Sequence, residues 1–209
     1  MTDDLILFTN PMSRGRIARW MLEEAGVDYE TRALGYGPAM KGADYLAINS
    51  MGKVPAIKHG DRIVTECAAI CAYVADAFPQ AGLAPALDDR ADYYRWLFFA
   101  AGPLEAAVTN KSLEVAVPED KQGFVGYGNF DAVMTTLANA LSRGPFVAGE
   151  KFTAADVYVG AQVVWGIQFG TFEQRPEFAD YATRMTDRPA YKRANEKDDA
   201  LMAEMQSAS

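Results

Sequence analysis

The sequence predicts an α/β N-terminal domain followed by an all-α C-terminal domain, and three observations carry that prediction. Residues 5–34 read strand, helix, strand. Residues 54–78 read strand, turn, strand, helix. After a Pro- and Gly-containing stretch at 79–89, every periodic segment has helical spacing. The domains are expected at 1–79 and 89–209, joined by a linker at 80–88.

The elements follow in order. "LILF" (5–8) is short and wholly apolar, as a strand buried on both faces would be. "SRGRIARWMLEEAG" (13–26) places Ile17, Trp20, Met21 and Leu22 close to helical spacing, with Gly26 as its C-cap. "DYETRAL" (28–34) completes a β-α-β unit, which implies a parallel pair of strands. Residues 35–52 are irregular and glycine-rich. "VPAI" and "RIVT" flank "KHGD" as a tight hairpin, and "ECAAICAYVADAF" (66–78) is a helix stopped by Pro79. Beyond the linker, 89–109 is a long helix with a kink expected at Gly102-Pro103. Residues 110–129 are less regular. Residues 130–144 form an amphipathic helix ending at a glycine. Residues 152–170 open with Thr153-x-x-Asp156, a capping-box start, and are apolar on nearly all faces, so this helix should be buried. One or two further helices close the chain.

Composition limits the function. Half of the 209 residues are hydrophobic and the net charge is −8, which disfavours nucleic acid and anionic membranes as partners. Residues 1–80 hold 10 acids and 8 basic residues, so an anionic ligand can still be accommodated there. The acids of "MTDDLILF" do not suit a signal peptide, and no apolar run reaches the length of a membrane span; a cytoplasmic location is expected. Cys67 and Cys71 lie one helical turn apart, where a disulfide has poor geometry, so two free thiols are expected. Two cysteines and the single histidine, His59, are too few for a zinc site, and no metal is expected. His59 itself reads as a solvated turn residue.

With "GKVPAI", "TECAAICAYVADAFP" and "FVAGEKFTAADVYVG" in this order, the chain resembles the cytosolic glutathione transferases over nearly its whole length. "SRGRIARWMLEEAG" is similar to the first helix of a bacterial and fungal subgroup. The resemblance implies a thioredoxin-like first domain with a cis peptide bond at Val54-Pro55. The main-chain groups of Val54 would pair with bound glutathione as a strand would. It further implies that Glu66 accepts from the ligand amine and that the N–H of Cys67, at a helix start, donates to the γ-glutamyl carboxylate. Lys53 would pair with an anionic end of the tripeptide. The family usually has serine where Cys67 stands. A thiol is the weaker donor, so glutathione binding is expected to be weakened rather than lost.

Such a protein must ionise a thiol of pKa about 8.5 at neutral pH. "FTNPMSRGR" offers neither tyrosine nor cysteine for that task. Ser13 is the first candidate for hydrogen bonding to the thiolate, Thr9 and Asn10 compete with it, and Arg14 and Arg16 would add positive potential. Ser13 as a simple helix cap, and Glu66 as an ordinary first-turn acid, are the plainer alternatives. Tyr93, Trp96, Phe99 and Trp165 are candidates for a hydrophobic electrophile pocket, or else core residues. The resemblance implies transfer of glutathione to small hydrophobic electrophiles, a detoxification chemistry, by a homodimer. A non-catalytic binding protein and a glutathione-dependent thiol reductase are the alternatives; the lack of a cysteine near residue 13 argues against the second.

Overall fold

A computed structural model describes residues 4–207. The chain divides into two compact units, Met1–Leu83 together with Asp187–Ser209, and Ala84–Thr186.

The first unit is built on a four-stranded mixed sheet in the order β2-β1-β3-β4. β1 (Leu5–Thr9) is buried along its length, as its unbroken apolar run requires. It pairs in parallel with β2 (Glu30–Ala33) and antiparallel with β3 (Ala56–His59), which pairs antiparallel with β4 (Arg62–Thr65). α1 (Gly15–Ala25) joins β1 to β2 and ends at Gly26, whose φ of 65° is the left-handed cap that glycine adopts freely. α4 (Cys67–Ala77) packs beside α1 and against β3 and β4. Residues 35–52 contain two helical turns, α2 (Pro38–Lys41) and α3 (Ala43–Leu46). They cover Ile6, Phe8 and Ala56 with Met40, Tyr45 and Ile48, which gives this segment the core contacts that its sequence does not advertise.

The second unit is helical. α5 (Ala91–Phe99) runs through a π-helical turn at Ala100–Leu104 into α6 (Glu105–Ser112). The π turn lies at Gly102-Pro103, where a kink was expected: Pro103 has no N–H to give to the regular ladder. α7 (Phe130–Leu141) is capped by Asn129, whose side chain accepts the Ala132 N–H at 2.8 Å, and it stops at Ser142 before the expected glycine. α8 (Ala154–Gln168) is buried on nearly every face. Its Thr153/Asp156 capping box is formed, and the Asp156 carboxylate also accepts the Val147 N–H and the Tyr181 hydroxyl, each at 2.8 Å. α9 (Pro176–Thr186) packs on α7 and α8.

α10 (Pro189–Ser207) departs from the expected division. The sequence places residues 187–209 in the helical domain, yet α10 lies along α1 in the first unit. Polar side chains hold it there. Arg19 donates to Asp198 at 2.8 Å with both groups closed off from solvent, and Arg188 grips Glu24 with two bonds of 2.6 and 2.8 Å. Lys197 and Arg193 reach Glu23. Trp20 meets Tyr191 edge to face at 5.0 Å. Helical periodicity reports an apolar stripe and is blind to a face that docks through ion pairs. His59 also departs from its expected role: it is half-buried, bonded to the Tyr73 hydroxyl at 2.9 Å and stacked on Phe78.

Candidate functional site

Three segments meet in the first unit. The β3–β4 register pairs Ala56 with Thr65, which brings the Val54-Pro55 entry to β3 alongside the Glu66-Cys67 entry to α4. Val54-Pro55 is a cis peptide bond. The Cys67 thiol donates to the Arg14 carbonyl at 3.6 Å, which joins the start of α4 to the start of α1. The residues singled out around 13, 53–55 and 66–67 are therefore neighbours in space.

Glu66 is exposed and sits just ahead of α4 at φ 64°, ψ 116°, a region that non-glycine residues rarely occupy. It makes no side-chain cap bond to α4, so its carboxylate is not used as a helix cap. Local strain of this kind gathers at ligand sites. Lys53 is exposed, Val54 half-buried and Pro55 buried. Pairing of β3 begins at Ala56, so Val54 lies ahead of the ladder.

The support of this segment is not visible in the sequence. Tyr45 donates its hydroxyl to the Lys53 carbonyl at 2.6 Å, and Asn49 donates its amide to the same oxygen at 2.9 Å. Lys41 bridges the carbonyls of Met51 and Gly52. Gly52 has φ 56°, and a Cβ there would stand 2.5 Å from the Met40 carbonyl oxygen, so glycine is required. The cue in the sequence is a glycine two residues before a Val-Pro pair.

Around α1 the loop 10–13 is closed on itself. The Asn10 amide donates to the Leu34 carbonyl at 2.8 Å and accepts the Met12 N–H at 2.9 Å. The Ser13 hydroxyl donates to the Asn10 carbonyl at 2.7 Å and accepts the Gly15 N–H at 2.9 Å. Arg14 is the N-cap of α1 and makes no side-chain cap bond, so Ser13, one residue ahead, holds the turn into the helix rather than capping it. Its hydroxyl proton lies on Asn10, because a carbonyl can only accept. Thr9 and Asn10 are buried, whereas Ser13 is half-buried. Thr9 Oγ1 lies against Gly15, where any Cβ would collide with it. Arg14 is exposed at this loop. Arg16 donates to the Pro11 carbonyl of this loop and pairs with Asp199 at 2.7 Å, so its charge is already paired.

In the second unit Tyr93 and Trp96 are buried core residues, while Phe99 and Trp165 are half-buried. Cys67 and Cys71 are both free and buried. Among the described residues no three His, Cys, Asp or Glu side chains gather as a metal would need, and no helix is long and apolar enough to cross a membrane.

Residues 3–76 match the family model described as glutathione S-transferase, N-terminal domain. Human glutathione S-transferase theta-2B is 30% identical over 157 residues, covering 69% of this chain; the chain spans 64% of that relative's length. Glutathione S-transferase GstA of Escherichia coli O157:H7 is 28% identical over 207 residues, covering 95% of this chain and 98% of the relative. A glutathione transferase homologue from Sulfitobacter, solved with bound glutathione, superposes with a TM-score of 0.75 at 26% identity, over 93% of this chain and 98% of that one. The first unit is thioredoxin-like, and the chain belongs to the cytosolic glutathione transferase family.

Proposed function

We propose that the protein is a glutathione transferase that binds glutathione in its first unit and adds the thiolate to a hydrophobic electrophile. The observation that carries this reading is the convergence of the Val54-Pro55 entry to β3, the Glu66-Cys67 entry to α4 and the start of α1. That arrangement offers one main-chain edge, one carboxylate and one helix N-terminus, which match the peptide group, the amine and the carboxylate of a γ-glutamyl residue. Lys53 takes the other carboxylate. The solved relative holding glutathione supports the ligand.

In this reading Ser13 serves the sulfur. It is the one of the three candidates that is not closed off, and it acts when its O–H turns from the Asn10 carbonyl to the incoming thiolate. Thr9 and Asn10 then shape the loop. Phe99 and Trp165 are the candidates left with aromatic surface for an electrophile, whereas Tyr93 and Trp96 are core residues of the second unit. The protein acts as a homodimer; the exposed Tyr94 and Phe98 of α5 support a second copy, and sedimentation velocity tests it.

Calorimetric titration with glutathione and an S-alkylated analogue, followed by electrophile turnover, tests the reading. Saturable binding that Glu66→Ala weakens about tenfold or more, and turnover that Ser13→Ala lowers about a hundredfold, are the expected results. One observation favours a non-catalytic binding protein instead: the Ser13 hydroxyl is already spent on Asn10. Binding with no turnover of any electrophile would decide for that alternative. Disulfide reduction that persists in Ser13→Ala would decide for a thiol reductase.

A further inference from the structure

We propose that Arg16 is a positioning residue for the thiol-facing loop, and that α10 acts on the reacting sulfur through it; this rests on the glutathione reading above. Arg16 is the second residue of α1. A cation in the first turn opposes the positive end of the helix dipole, so its place there needs compensation. The guanidinium is spread over three partners. Nε donates to the Pro11 carbonyl at 2.6 Å, Nη1 to Asn195 Oδ1 at 3.1 Å and Nη2 to Asp199 Oδ1 at 2.7 Å. Asn195 in turn donates its Nδ2 to the Tyr191 carbonyl, which leaves Oδ1 facing Arg16.

Pro11 lies between Asn10 and Ser13, the two residues whose mutual hydrogen bond sets the Ser13 hydroxyl. Asn10 holds this loop from the strand side through Leu34, and Arg16 holds it from the helix side. A planar fork with fixed angles does this where a lysine would not, because a single ammonium cannot keep three directions at once. The loop carrying Ser13 is therefore registered against α10.

The charges facing Arg16 are few. On α10 they are Asp198 and Asp199, with the Tyr191 phenol nearby. The nearest cations in the chain are Arg14, at the N-cap of α1, and Arg19, three residues on and closed into its own pair with Asp198. Asp199 is 62% exposed and Arg16 20%. Asp199 is thus the accessible counter-charge that masks Arg16 from the start of α1. Removing the fork and removing the mask should move the bound thiol in opposite directions, and a merely structural brace would not do that.

The experiment is a spectroscopic titration of the thiolate of bound glutathione in wild-type, Arg16→Met, Arg16→Lys and Asp199→Asn protein. S-methylglutathione affinity and the urea midpoint are measured in parallel. Arg16→Met and Arg16→Lys are expected to raise the bound thiol pKa, by about one unit for the methionine, with S-methylglutathione affinity changed by about twofold or less. Asp199→Asn keeps an acceptor oxygen and is expected to lower the thiol pKa. Should Arg16→Met fail to fold, the sign of the Asp199→Asn shift decides. Unchanged thiol pKa values in a wild-type protein that binds and ionises glutathione overturn this inference alone. So does loss of S-methylglutathione affinity in proportion to stability. A wild-type protein that binds neither ligand overturns the glutathione reading, and this inference with it.

Discussion

The hydroxyl of Tyr45 donates to the main-chain carbonyl of Lys53 at 2.6 Å, which ties α3 to the residue ahead of the Val54-Pro55 bond. Burial pushes the Tyr45 phenol up to about 12, so the donor keeps its proton at neutral pH. Tyr45→Phe keeps the ring against Phe8 and removes only this bond. A stability loss of about 1 kcal/mol and a glutathione Kd about fivefold higher are expected. Urea denaturation and calorimetry measure the two. An unchanged Kd would show that Asn49 alone suffices to hold Lys53.

Glu66 sets stability against binding. Its φ of 64° costs a side-chain-bearing residue about 1 kcal/mol more than glycine, which has no Cβ to clash there. Glu66→Gly should therefore raise the denaturation midpoint while weakening glutathione about tenfold or more, through loss of a charged hydrogen bond. A variant that is less stable than wild type would show that the conformation is held by something other than tolerance of strain.

Asp156 is buried and accepts from the Val147 and Thr153 main chain and from the Thr153 and Tyr181 hydroxyls. Asp156→Ala orphans these donors together. A loss of about 3–5 kcal/mol is expected, large enough to unfold the helical unit at moderate urea. Tyr181→Phe removes one donor and should cost about 1 kcal/mol. Equal losses in the two variants would mean that Tyr181 is the sole effective partner.

Glu23 supplies a pH dependence with a definite sign. Its burial favours the neutral acid, but Lys197, Tyr29 and Arg193 outweigh that and hold the carboxyl below its ordinary 4.5. The folded state therefore binds the proton less readily than the unfolded chain. The stability it contributes is complete above the unfolded value and is lost as pH falls through the lower folded value. Denaturation midpoints of wild-type protein should fall over that acid range, and those of Glu23→Gln should fall less. Parallel acid limbs would assign the loss to other carboxylates.

The order of strands and helices in the first unit was legible because apolar runs and turn residues punctuate it clearly. The kink at Pro103 and the capping box at Thr153 were legible for the same reason: each is a local rule with a side chain that enforces it. α10 was misplaced because Arg19, Glu23, Glu24 and Arg188 look like solvated charges until their partners are known. The segments of the candidate site were legible as motifs. Tyr45, Asn49 and Lys41 were not, because they act by gripping main-chain carbonyls, and no spacing in the sequence records a carbonyl's partner. His59 was misread for a related reason: Tyr73 and Phe78 meet it only once α4 folds back on the hairpin.

α10 has a consequence for how the protein is made. The strands and helices of the first unit emerge early from the ribosome, yet the residues that neutralise Arg19 and Glu23 are translated after the whole helical unit. Until then Arg19 and Glu23 have Tyr29 and Thr31 as partners but lack their counter-charges, and Trp20 lacks Tyr191. The part of the chain that is translated first is thus completed last, and a nascent chain stalled in the second unit presents the unfinished face of α1 to chaperones and proteases.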